Sequence, residues 1–82
     1  MSLSVVKFLT RVGCHLCDEA RPAVLEAAAR YRLPVEEVDV DTDDALVRDY
    51  GLRVPVVIGP AGQVIAEGQI DARALNRSLR KL

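Results

Sequence analysis

Ser4 to Thr10 carries Val5, Val6, Phe8 and Leu9 almost without a break, with Lys7 the only charge among them. A run that is apolar toward both sides suits a central strand covered on each face. Gly13 ends it. From Cys14 to Arg30 the period changes: Leu16, Ala20, Val24, Ala27 and Ala28 fall at helical spacing. Asp18 and Glu19 put negative charge in the first turn, where it complements the helix dipole. Pro22 lies inside this pattern, and its missing N–H and ring predict a bend between Asp18 and Pro22 in a helix that nevertheless continues. Leu33-Pro34 reads as a loop, and Val35 to Asp41, where Val38 and Val40 alternate with charged residues, as a second strand.

Asp41, Thr42 and Asp43 are N-cap candidates for a short helix through Tyr50, with Leu46, Val47 and Tyr50 on one face and Gly51 as a left-handed residue after its end. Val54-Pro55 opens the apolar run Val56 to Ile58. Gly59-Pro60-Ala61-Gly62 then turns the chain into Gln63 to Glu67, an antiparallel hairpin partner. After Gly68, Asp71 caps a last helix with Ala74, Leu75, Leu79 and Leu82 on one side and Arg73, Arg77, Arg80 and Lys81 on the other. The order is βαβαββα. It predicts an α/β fold, a four-stranded mixed sheet with helices on both faces. With 82 residues and no repeat or linker, one domain over 1–82 around one core is expected.

Composition removes several function classes. Eleven basic residues face 12 acidic ones for a net charge of −1, so no field draws in a polyanion, and the aromatics Phe8, Tyr31 and Tyr50 stand outside any basic, base-stacking context. Nucleic acid is not an expected partner. No apolar stretch approaches the roughly 20 residues that span a bilayer, so no membrane association is expected. Met1 to Thr10 has neither a charged leader nor a small-residue cleavage site, which makes the cytoplasm the expected compartment, where disulfides are usually transient and catalytic.

The chemistry is concentrated in Cys14-His15-Leu16-Cys17. Two thiols three positions apart at a strand-to-helix junction can close a disulfide with little backbone movement. At the helix N-terminus, free amide N–H groups and the dipole stabilise a thiolate. Lowering a thiol pKa from about 8.5 toward 7 raises the thiolate fraction at neutral pH from roughly 3% to half. Arg11 and His15 add positive charge near Cys14, opposed by Asp18 and Glu19, with a net sign toward activation. Cys14 is thus the candidate nucleophile. Cys17, one turn further in and less accessible, is the candidate resolving thiol. The bland alternatives are two core cysteines, a structural disulfide, or half of a zinc site; for the last, the chain offers no further Cys and only His15.

The segments Thr10 to Cys17, Tyr50-Gly51-Leu52-Arg53-Val54-Pro55, and Gly68 with Asp71 together resemble the glutaredoxin branch of the thioredoxin superfamily, in particular small bacterial glutaredoxin-like proteins with a C-H-L-C motif. The resemblance covers nearly the whole chain. It implies a thioredoxin-like fold and a thiol–disulfide oxidoreductase that reduces protein or glutathione-mixed disulfides through a Cys14/Cys17 dithiol cycle. It also implies that Pro55 follows a cis peptide bond and faces the cysteines, and that the N–H and C=O of Val54 pair with an extended substrate backbone. Arg11, Val54-Pro55 and Gly68 match positions that hold glutathione in glutaredoxins. Glu67 stands where a first glycine would precede Gly68, and its carboxylate opposes glutathione. His15 is expected to tune the Cys14 thiolate. No cofactor is required on this reading; glutathione is a possible reductant, and glutathione or a reductase the electron donor. Two other functions compete: a metal or iron–sulfur cluster module using the C-x-x-C, and a redox-inert interaction domain of the same fold.

Overall fold

The computed structural model describes residues 5–82. Its elements are β1 (Val6–Thr10), α1 (His15–Arg30), β2 (Val35–Asp39), α2 (Asp44–Tyr50), β3 (Val56–Ile58), β4 (Val64–Glu67) and α3 (Ala72–Arg80), with a short 3-10 turn at Val40–Thr42. This is the expected βαβαββα order. Ser4, which the sequence places at the start of the first strand, lies outside the described residues. The four strands form one mixed sheet in the order β2-β1-β3-β4. β1 runs parallel to β2, with Thr10 opposite Asp39, and antiparallel to β3, with Leu9 opposite Val56. β3 and β4 form the antiparallel hairpin.

Alternation along β1 and β3 divides the core into two layers, because successive strand side chains point to opposite faces. Val6, Phe8 and Val57 meet Ala20, Val24, Ala27 and Ala28 of α1 and Leu75 and Leu79 of α3. Leu9, Val56 and Ile58 pack on the other face with Val40, Leu46 and Tyr50. The second layer is the thinner one: α2 has seven residues, and Lys7, on the same face as Leu9, remains exposed. The strand is therefore covered on both sides only toward its C-terminal end, where the cysteine motif begins.

Several boundaries differ from the sequence expectation for local reasons. β2 stops at Asp39 instead of Asp41 because the Asp39 carboxylate accepts from the Asp41 N–H at 2.9 Å and Thr42 Oγ1 donates to the Asp39 carbonyl at 2.7 Å, which folds Val40–Thr42 into the 3-10 turn. Of the three candidates, Asp43 is the cap of α2. Gly51 is not left-handed: its φ is −54°. A Cβ there would lie 2.5 Å from the Val47 carbonyl oxygen, so the glycine serves a close approach instead of a left-handed turn. Gln63 belongs to the hairpin turn, its carbonyl accepting from Gly59 N–H at 2.8 Å. Leu82 lies past the end of α3 and is about half exposed. α1 runs unbroken through Pro22, which sits on its exposed side.

Asp71 caps α3 as expected, its carboxylate accepting from Ala74 N–H at 3.2 Å. That helix delivers two of the largest fully buried side chains, Leu75 and Leu79. Asp71→Ala is expected to cost about 1 kcal/mol, read as a fall of roughly 4–8 °C in thermal midpoint. An unchanged midpoint would mean that packing alone holds the helix end.

Candidate functional site

β1 and β2 are parallel, so their C-terminal ends lie together, and antiparallel β3 begins at that same end of the sheet. The loop after β1 and the segment before β3 therefore face each other there. Arg11 joins them directly: its Nη1 donates to the Gly51 carbonyl at 3.1 Å. Within this setting Cys14 is the N-cap of α1, with extended backbone at φ −84° and ψ 105°. Its carbonyl accepts the first helical bond, from Asp18 N–H at 3.1 Å. Its Sγ accepts from Cys17 N–H at 3.1 Å, so the sulfur takes the place that a capping oxygen usually fills.

Cys14 and Cys17 are joined as a disulfide, their Cα atoms 5.2 Å apart. They differ sharply in accessibility. Cys17 is completely buried, whereas Cys14 is only partly covered. The outer cysteine is open to solvent and the inner one is not, a division that suits nucleophile and resolving thiol. Leu16, given a core-facing place by the sequence pattern, is instead 40% exposed. Adjacent helical residues point about 100° apart, and with Cys17 inward in the first turn Leu16 turns outward beside the sulfur.

Both basic side chains flanking the motif meet carboxylates. Arg11 holds Asp41 with Nε at 3.0 Å and Nη2 at 2.8 Å, in addition to its bond to Gly51. This hydrogen bond keeps the Asp41 carboxyl below its ordinary pKa. His15 Nε2 meets Glu19 at 2.6 Å on the exposed face of the helix. Arg11 and His15, expected to lend positive charge to Cys14, are thus each engaged with a carboxylate. The Arg11–Asp41 pair spans 30 positions, and no local signal in the sequence announces it.

Val54 and Pro55 lie in the segment that leads into β3 at this end of the sheet. The bond between them is cis, and Pro55 is buried. The Val54 N–H is donated to the Tyr50 carbonyl at 3.1 Å, an acceptor shared with Arg53 N–H at 2.8 Å. Val54 is thus not free at both backbone groups as the family resemblance implied; its N–H has a partner. Gly68 is left-handed, with φ 71°, and donates its N–H to the Pro55 carbonyl at 2.9 Å. It ties the end of β4 to the proline segment.

Two ionic arrangements escaped the sequence reading. Arg53 grips Glu67 with Nε at 2.9 Å and Nη2 at 2.8 Å and lies 5.0 Å from the Tyr50 ring centroid. The fork-like bond lowers the Glu67 carboxyl pKa. Arg21 bonds Glu37 through Nε and Nη2 and Asp18 through Nη1, while Thr10 Oγ1 also donates to Glu37. Arg21 first, with Thr10 after it, holds the Glu37 carboxyl below its usual value against partial burial. Among the described residues no group of three or more His, Cys, Asp and Glu side chains is placed to hold a metal ion, and no helix is long and apolar enough to cross a membrane.

The comparisons agree with this geometry. A solved structure from X. campestris, the structural-genomics target XcR50, shares 36% identity over 94% of this chain and 97% of its own, with a TM-score of 0.79. A mutant thioredoxin from Halobacterium salinarum is 27% identical over 98% of this chain and 74% of its own, with a TM-score of 0.73. Mitochondrial thioredoxin 3 from Saccharomyces cerevisiae, in its oxidised form, shares the fold at a TM-score of 0.74 and 20% identity, over 100% of this chain and 81% of its own. A search of curated proteins finds no match. The family model described as Glutaredoxin-like domain (DUF836) matches residues 5–80, from β1 through the last turn of α3, and the chain belongs to that family of thioredoxin-fold proteins.

Proposed function

We propose that the protein is a thiol–disulfide oxidoreductase that reduces protein or glutathione-mixed disulfides, with Cys14 as nucleophile and Cys17 as resolving thiol. The observation that carries it is the unequal burial of two bonded cysteines at a helix N-terminus, with the outer sulfur accepting the Cys17 N–H. In the reduced protein that N–H and the helix dipole favour the Cys14 thiolate. The thiolate attacks one sulfur of the substrate disulfide, forming a mixed disulfide and releasing the other substrate sulfur as a thiolate that takes a proton from water. Cys17, deprotonated, then attacks Cys14 Sγ, expels the first substrate sulfur and closes the Cys14–Cys17 disulfide. The substrate gains the two electrons that the cysteine pair loses. An external thiol reductant, glutathione or a reductase, returns the pair to the dithiol.

Val54 offers its carbonyl to the substrate backbone, and its N–H becomes available if the shared bond to Tyr50 yields. Arg11 contributes by fixing the motif loop against Gly51. Gly68 contributes by holding Pro55. The chemistry requires no metal or cofactor, and we assign it to the cytoplasm, where such pairs cycle. Cys17→Ser provides the test. Incubated with a disulfide-bonded protein, the reduced variant is expected to accumulate a mixed disulfide through Cys14 that mass spectrometry detects and added dithiol releases. Complete turnover by this variant without a trapped species would overturn Cys17 as the resolving thiol.

A further inference from the structure

Every basic side chain in the segments that frame the disulfide already meets a carboxylate. Between Thr10 and Arg21 these are Arg11 with Asp41, His15 with Glu19, and Arg21 with Glu37 and Asp18. Between Arg48 and Gly68 they are Arg48 with Asp49 and Arg53 with Glu67. The last pair flanks the substrate-facing segment from both sides: Arg53 immediately precedes Val54, and Glu67 immediately precedes Gly68, which is bonded to Pro55. Arg53 is thus the guanidinium best placed to meet a carboxylate carried by a substrate, and it is already engaged: Glu67 holds its Nε and Nη2 in a forked geometry, and its Nη1 donates to the Asp49 carbonyl at 3.3 Å.

What the same end of the sheet leaves open is apolar. Val12 in the loop after β1 is 87% exposed, Leu52 in the segment before β3 is 100% exposed, and Leu16 stands beside Cys14. Arg11, bonded to Gly51, holds the two loops together, so these exposed side chains all stand on segments joined at one end of the sheet. An isolated exposed apolar side chain carries no message, whereas exposed apolar groups on both loops that frame a disulfide do.

We propose that the Arg53–Glu67 pair is a specificity element: Glu67 withholds the guanidinium from small carboxylate-bearing disulfides such as that of glutathione, so that the site accepts a cysteine of a polypeptide disulfide flanked by uncharged, apolar residues. This rests on the oxidoreductase reading above and selects within it. A small anionic disulfide would have to displace Glu67 and then remain beside its displaced charge. A polypeptide cysteine needs neither, since its backbone pairs at Val54 and its flanking side chains cover Val12, Leu16 and Leu52.

The test compares wild type with Glu67→Gln on two substrates, oxidised glutathione and a peptide disulfide with alanine and leucine around the cysteine. Glutamine keeps the size of the side chain and removes its charge, and the pair is on the surface, so the fold is not at stake. Wild type should favour the peptide. Glu67→Gln should raise kcat/KM for glutathione disulfide by about fivefold relative to that for the peptide, chiefly through a lower KM. Adding Arg53→Gln to Glu67→Gln should cancel the gain. An unchanged ratio in Glu67→Gln, or a gain that survives the second substitution, overturns the specificity role while leaving the dithiol cycle standing. Wild type that turns over neither substrate overturns the oxidoreductase reading and this inference with it.

Discussion

Cys14→Ser is expected to bring disulfide-reductase turnover down to the uncatalysed background, a loss on the order of a thousandfold or more, in the range that removal of a catalytic nucleophile produces elsewhere. The reason is geometric as well as chemical. Cys14 is the partly exposed residue of the pair, and Cys17 is fully buried. With a hydroxyl at position 14, the remaining thiol cannot meet a substrate sulfur in line, and a serine hydroxyl is not ionised at neutral pH. Capping is retained: serine is a favourable N-cap residue and accepts from the same N–H. The variant should therefore fold and keep its thermal midpoint to within what loss of the disulfide costs. Measurement of the initial rate against a protein disulfide, with far-UV circular dichroism as the control for folding, checks the expectation. A folded Cys14→Ser protein retaining a tenth of the wild-type rate would place the nucleophile elsewhere.

Phe8→Ala carries the largest expected cost to stability, about 3–5 kcal/mol. Phe8 is the largest of the fully buried side chains and belongs to the layer built from β1, α1, β3 and α3. Its ring also has the Arg21 guanidinium 6.0 Å from its centroid, so it lies under the ion-pair network that joins α1 to β2. A chain of this size commonly has about 4–12 kcal/mol of total stability. Losing the ring should remove much of it and lower the thermal midpoint by at least about 12 °C. Urea unfolding monitored by circular dichroism provides the value. A loss below 1 kcal/mol would show that the layer closes around the cavity and that Phe8 is not its centre.

Both expectations depend on how the two layers carry the motif. The thick layer anchors α1 through Ala20, Val24, Ala27 and Ala28, which fixes the buried turn that holds Cys17. The thin layer brings Tyr50 against Val54 and β3, and Tyr50 in turn accepts the Val54 N–H and lies beside Arg53. The cysteine motif and the Val54-Pro55 segment are thus supported from opposite faces of one sheet. At the edge, Arg11 Nη1 bonds the Gly51 carbonyl and ties the motif loop to the segment before β3, and the Arg53–Glu67 ion pair ties that segment to the end of β4.

The succession of strands and helices, the caps Asp43 and Asp71, the antiparallel hairpin and the placement of Cys14 and Cys17 at a helix start were legible in the residues themselves. Each depends on interactions within a few positions: apolar period, capping carboxylates, and the spacing of two thiols over one turn. What only the tertiary structure decided were the partners of the charges and the exposure of individual apolar groups. Arg11 finds Asp41, Arg21 finds Glu37 and Arg53 finds Glu67 across separations of 30, 16 and 14 positions. Gly51 is required by a neighbouring carbonyl and not by a turn, and Leu16 faces out where the helical period pointed in. Local periodicity cannot anticipate these outcomes, because a guanidinium is bound by whichever carboxylate the sheet register and helix packing bring within reach.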